Sequence, residues 1–147
     1  MGAWGMRAFQ DDTALDFFED QLLSLGQGGN ALVETLNEAL EAVIKLDGYL
    51  DYDLAQPALV AAAVIDAALH RTELEPDEPE EWTAWRQQDL QGVDVEPLRP
   101  LAVQALQRVL GEGSEVRDMW KEHSQEDFQA WVDGLEDRIA RLKPLTH

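Results

Sequence analysis

The stretch Pro57-Ala58-Leu59-Val60-Ala61-Ala62-Ala63-Val64-Ile65-Asp66-Ala67-Ala68-Leu69-His70-Arg71 decides the fold. From Ala58 to Leu69 it holds a single polar residue, Asp66. A helix that is apolar on every side has no face to turn to water, so it belongs at the centre of a bundle. Its alanines carry little bulk and let neighbouring helices come close. Pro57 suits a first helical turn, where its missing N–H removes no bond. The spacing therefore predicts a helix from Pro57 to about Arg71. The run Ala58 to Ile65 is far too short to cross a bilayer, which takes about 20 apolar residues.

The segments on either side have one oily face each, as partners for such a helix should. Leu15, Phe18, Leu22 and Leu25 recur at helical spacing, which predicts a helix over 13–25 with Asp12 as its N-cap. Leu32, Leu36, Ala39, Leu40, Val43 and Ile44 do the same over 31–46, behind Asn30. After the central helix, 72–81 is acidic and holds Pro76 and Pro79, which reads as an exposed loop. A short helix over 80–89 places Trp82 and Trp85 one turn apart, and a second connector covers 91–97. Leu98, Leu101, Ala102, Ala105, Leu106 and Val109 face inward from a helix over 98–110. Ser114 and Ser124 read as caps of the last two helices. The first of these carries Val116, Met119 and Trp120, and the second carries Phe128, Trp131, Val132, Leu135, Ile139 and Leu142. No segment alternates with the strand period of two. The expectation is an all-α, single-domain helical bundle of about six to seven helices over 1–147, with a buried Ala-rich central helix and an N-terminal arm, 1–11, packed on it.

The chain has 147 residues and no cysteine, which excludes disulfides and thiolate chemistry. Its net charge is −19. Residues 1–98 hold 21 acids against four bases, and residues 99–147 hold nine against seven. Such a field repels nucleic acid and anionic membranes, which are bound through Lys and Arg, and attracts a basic partner or cations. The start, Met1 to Arg7, lacks the apolar run of a signal peptide, and Met6 stands where a myristoylation signal needs Ser or Thr. A cytoplasmic location is expected.

The polar residues give little chemistry. The glycines at 26, 28 and 29 follow no strand and precede no Lys-Ser/Thr pair, so they are not a phosphate loop. Read as a calcium loop from Asp51, the chain has Gln56 where a glycine is needed and Ala62 in place of the closing glutamate. The sharpest constellation is Asp66, His70 and Glu73. Spacings of four and three place them on one helix face, where a carboxylate can orient an imidazole or share a metal with it. The structural alternative is that Asp66 reaches the surface or caps a neighbour. His123, near Asp118, Glu122 and Asp127, reads as a helix-end residue. Trp82 and Trp85 lack the basic company a nucleobase platform needs, so they read as packing. No cofactor is implied.

Gly2-Ala3-Trp4-Gly5 and Phe9-Gln10-Asp11-Asp12-Thr13-Ala14-Leu15-Asp16-Phe17 resemble the opening of the bacterial domain of unknown function 4259 family. The resemblance continues in Tyr49-Leu50-Asp51, in Ser114-Glu115-Val116-Arg117-Asp118-Met119-Trp120 and in the Trp131 helix. Phe17 replaces a common Trp, and Asp11 a common Asn. The resemblance implies that Trp4, Phe9, Asp12 and Asp16 act as a shared structural or functional unit, and it implies no substrate. Two functions remain open at this point. One is a small acidic, non-enzymatic protein that binds a basic partner. The other is a metal-assisted enzyme or cation-binding protein using Asp66, His70 and Glu73. The missing nucleophile and metal motifs favour the first.

Overall fold

The computed structural model describes residues 12–23, 29–74, 78–90 and 92–143. The expected arm, with Trp4 and Phe9, lies outside them. Seven α-helices occur among the described residues: α1 (Asp12–Phe17), α2 (Gly29–Lys45), α3 (Tyr52–His70), α4 (Glu80–Trp85), α5 (Arg99–Leu110), α6 (Glu115–Lys121) and α7 (Gln125–Leu142). Single π turns extend α1 over Phe18–Leu22 and α4 over Arg86–Leu90, and a 3-10 turn, Glu96–Leu98, leads into α5.

Helices α2, α3 and α5 each pack on the other two and form the centre. Helix α1 lies against α3, and α7 covers α5 and reaches α3. The expectation for the central helix holds: Ala58 through Ala67 are all buried. Each fully buried Leu, Val or Ile contributes about 1.5–3 kcal/mol by leaving water. The alanines contribute less of this, but they set the close spacing of three helices.

Helix α3 starts at Tyr52, five residues before the expected Pro57. Asp51 is the reason. Its backbone is extended, and its carboxylate accepts the Leu54 N–H at 3.0 Å. A capped start of this kind satisfies a terminal donor and outweighs the proline signal. Pro57 is then the sixth helical residue, inside the helix. Its lack of an N–H leaves a gap at the carbonyl of Asp53, which lies in the exposed first turn where water can serve it. Helix α2 likewise starts one residue before its expected cap, so Asn30 is an exposed helical residue. The two serine caps are as expected. Ser114 accepts from the Arg117 N–H at 3.4 Å and Ser124 from the Asp127 N–H at 3.1 Å.

Two turns meet although no periodicity predicts their contact. The Leu50 N–H donates to the Gly113 carbonyl at 2.8 Å, and the Glu115 N–H donates to the Leu50 carbonyl at 2.8 Å. This is a single parallel bridge between Leu50 and Ser114. Gly48 and Gly113 have φ of 93° and 81°, a region that strains any residue with a Cβ. Arg108 donates to the carbonyls of both glycines and staples the turns together.

The 72–81 connector is not simply exposed. Leu74 is buried, and the Glu78 side chain is almost fully covered, 2% exposed. Glu78 accepts from the Leu74 N–H at 2.9 Å, the Thr83 hydroxyl at 2.5 Å and Arg86 Nη2 at 2.7 Å. Burial pushes its carboxyl up, but the bonds from Arg86, Thr83 and Leu74 hold it below the usual range. Glu78→Gln should therefore cost about 1–3 kcal/mol. The Leu74 amide should exchange with deuterium faster by at least about tenfold, since about 1.4 kcal/mol is a factor of ten. Unchanged protection of that amide would refute the pinning role.

Candidate functional site

Asp66 lies on the last turn but one of α3, in the most apolar part of the chain, and is only 4% exposed. An isolated carboxylate there would be strongly penalised. Three side chains compensate it. His70, one turn on, places Nδ1 at 2.8 Å from Oδ1. Arg138 and Arg141, one turn apart on α7, converge on Oδ2: Arg138 Nε at 3.0 Å, Arg141 Nε at 3.0 Å and Arg141 Nη2 at 2.9 Å. For the His70 contact to be a hydrogen bond, Nδ1 must carry the proton. Burial pushes the Asp66 carboxyl up, but the hydrogen bonds from Arg141 and Arg138 prevail and hold it below its ordinary value.

The structure thus brings Asp66 and His70 together and leaves Glu73 out. The helix ends at His70, and Arg71 turns left-handed, with φ 54° and ψ 45°. Three residues past a helical His no longer means one turn further on the same face. Glu73 is exposed. Asp66 neither reaches the surface nor caps a neighbouring helix; it is buried and ion-paired across the bundle. Among the described residues no group of three or more His, Asp or Glu side chains is placed to hold a metal ion. Of the residues the family resemblance singles out, Asp16 is exposed on α1, Asp12 opens α1, and Trp4 and Phe9 lie outside the described residues.

A second feature is an open groove of about 410 Å³ between the start of α3 and α6, lined by Asp51, Tyr52, Asp53, Glu115 and Met119. Glu115 accepts the Tyr52 N–H at 2.7 Å, which ties the two walls. Beside it, the Tyr49 hydroxyl donates to Asp118 at 2.7 Å. That bond, with the negative charges of Asp118, Glu115 and Glu122, pushes the phenol pKa up to about 12. Among the described residues Tyr49 and Met119 are the exposed large apolar side chains, at 55% and 43%. Met119 is on the same short helix as the buried Val116 and Trp120. It lies on the outer side of this two-turn helix, whose inner face those two residues occupy.

The aromatic residues serve packing. Trp82 and Trp85 meet Phe18 edge-on, with ring centres 4.7 and 5.3 Å away. Trp120 stacks with Trp131 at 6.5 Å and lies 5.0 Å from the His123 ring. The His123 N–H donates to the Trp120 carbonyl at 3.0 Å, as a helix-end residue does.

These features define an all-α bundle with a buried ion cluster at Asp66 and an acidic groove. The chain matches the sequence model of the family described as "Domain of unknown function (DUF4259)" over residues 2–134, and it belongs to that family. Neither the curated proteins nor the solved structures offer a match to it.

Proposed function

We propose that the protein is a small acidic interaction protein, not an enzyme, and that it docks a basic partner. The observation that carries this reading is how its arginines are used. Arg86 serves Glu78, and Arg138 and Arg141 serve Asp66. Arg99 holds Glu96 and the carbonyls that end α7. Arg108 holds two turn carbonyls, and Arg117 lies over the Phe128 ring at 5.6 Å. These arginines are engaged with the protein's own carboxylates, carbonyls and one ring, although Arg138 and Arg141 keep part of their surface in solvent. Exposed carboxylates such as Glu19, Glu34, Glu38, Asp47 and Asp53 therefore keep most of the −19 charge in solvent. A surface of that kind steers and holds a partner of opposite sign. The groove beside Tyr49 and Met119 adds apolar contact inside the same field.

The alternative, cation binding at Asp66, His70 and Glu73, has less support. The Asp66 oxygens are engaged by two guanidinium groups and an imidazole, and that positive charge opposes a metal ion.

The test is capture from an extract of the native host by the immobilised protein at low salt. A captured protein should be basic. It should be released at about 1 M salt, where the Debye length is about 3 Å. Capture should weaken in Asp53→Lys, at the groove, or in Glu34→Lys/Glu38→Lys, on α2. Recovery of only neutral or acidic proteins, or capture that survives high salt and both charge reversals, would overturn the proposal.

A further inference from the structure

The ion cluster at Asp66 has more positive charge and more donors than a buried carboxylate needs. One guanidinium would neutralise Asp66; two are present, so the cluster carries an excess of one positive charge even with His70 neutral. Asp66 is saturated: its two oxygens accept from His70, Arg138 and Arg141. A guanidinium has five N–H donors. Arg138 uses only Nε, which leaves both of its Nη groups, and Arg141 leaves Nη1. Nε2 of His70 is uncommitted as well.

These spare groups are reachable. The Arg138, Arg141 and His70 side chains are 25%, 46% and 37% exposed, while the carboxylate that anchors them is 6% exposed. The anchor fixes the orientation of three donors on two helices before any ligand arrives, so little side-chain entropy is lost on binding. Exposed Arg71 and Lys143 directly follow the last residues of α3 and α7. Glu73 and Asp137, also exposed, pair with neither guanidinium. In a chain this acidic, a cationic cluster held open by a buried anchor calls for an explanation beyond the pairing of Asp66.

We propose that Arg138, Arg141 and His70 form a binding site for the phosphoryl group of a small molecule, with Asp66 as its buried positioning residue. Planar guanidinium forks match the oxygens of a phosphate, and two forks with an adjacent imidazole offer donors to more than one of its edges. A phosphate anion would take up the excess charge. The site is independent of the acidic docking surface, and either can fail without the other.

Inorganic phosphate is the probe. The whole protein is titrated at constant ionic strength, with the arginine Nε–H and His70 ring signals followed by NMR. Saturable shifts are expected at millimolar phosphate, with acetate at least about tenfold weaker because it lacks the third and fourth oxygens. Arg138→Gln should weaken binding by about tenfold or more, and Arg138→Lys, which keeps the charge but loses the fork, by a factor of about three or more. Arg141 still neutralises Asp66 in both variants. His70→Gln, at the more exposed position, provides a second test if either arginine variant is poorly folded by circular dichroism. Shifts that rise linearly without saturating would overturn the site, and so would equal affinity for acetate. So would an unchanged midpoint in the folded variants.

Discussion

Asp66→Ala should lower the free energy of unfolding by about 2–4 kcal/mol, because it leaves two guanidinium groups facing an apolar helix with no counter-charge. The lower end of that range reflects water reaching Arg138 and Arg141. Asp66→Asn, which can still accept hydrogen bonds, should cost less than Asp66→Ala. The pH dependence has a definite sign. The carboxyl titrates lower in the folded protein than in the unfolded chain, where its value is about 3.9. Its contribution is therefore fully present above about pH 4–5 and is lost as pH falls through the folded value. Glu78, also held below its ordinary value, adds a term of the same sign. Urea unfolding followed by circular dichroism from about pH 7 down to pH 3 measures this. The parent should lose stability on the acid side faster than Asp66→Ala does. Parallel acid limbs would mean that Asp66 contributes no proton-linked stability.

Phe18→Ala should cost about 3–5 kcal/mol, the range for removing a buried aromatic ring. Phe18 is fully buried in the π turn after α1, and both Trp82 and Trp85 rest their ring edges on it. Loss of the ring opens a cavity between the end of α1 and the α4 turn. The near-ultraviolet circular dichroism of the tryptophans should weaken in the same variant, while the far-ultraviolet signal of the central helices persists. Phe18→Leu, which keeps most of the volume, should recover a large part of the loss. A Phe18→Ala protein with native tryptophan signals and a cost below about 1 kcal/mol would remove Phe18 from this role.

The bundle was readable because its signals are local. Helical spacing over Leu32 to Val43 and over Trp131 to Leu142, and the uninterrupted apolar run through Ile65, need no knowledge of distant residues. The serine caps at 114 and 124 were readable for the same reason. The site was readable only in part. The Asp66–His70 pair is one turn of one helix and follows from spacing. Its partners Arg138 and Arg141 are 72 and 75 positions away from Asp66. Nothing local marks them, although a lone acid in an apolar run does announce that some cation must come to it. Glu73 was placed by extending a helical period past the point where Arg71 ends it. Glu78 was missed because a carboxylate between two prolines looks like loop, and its burial depends on Arg86 folding back over it. The meeting of Leu50 with Ser114 is a contact between two turns, for which no periodicity exists.

The family match stops at residue 134, partway along α7. Beyond that point lie Leu135, Arg138, Ile139, Arg141 and Leu142: the two cations that answer Asp66 and three side chains of the hydrophobic core. A polypeptide cut at the family's border would keep the buried carboxylate and lose both of its guanidinium partners, along with the lid over that end of α5. The last two turns of α7, outside the matched residues, are therefore part of the same packed core as the rest of the bundle.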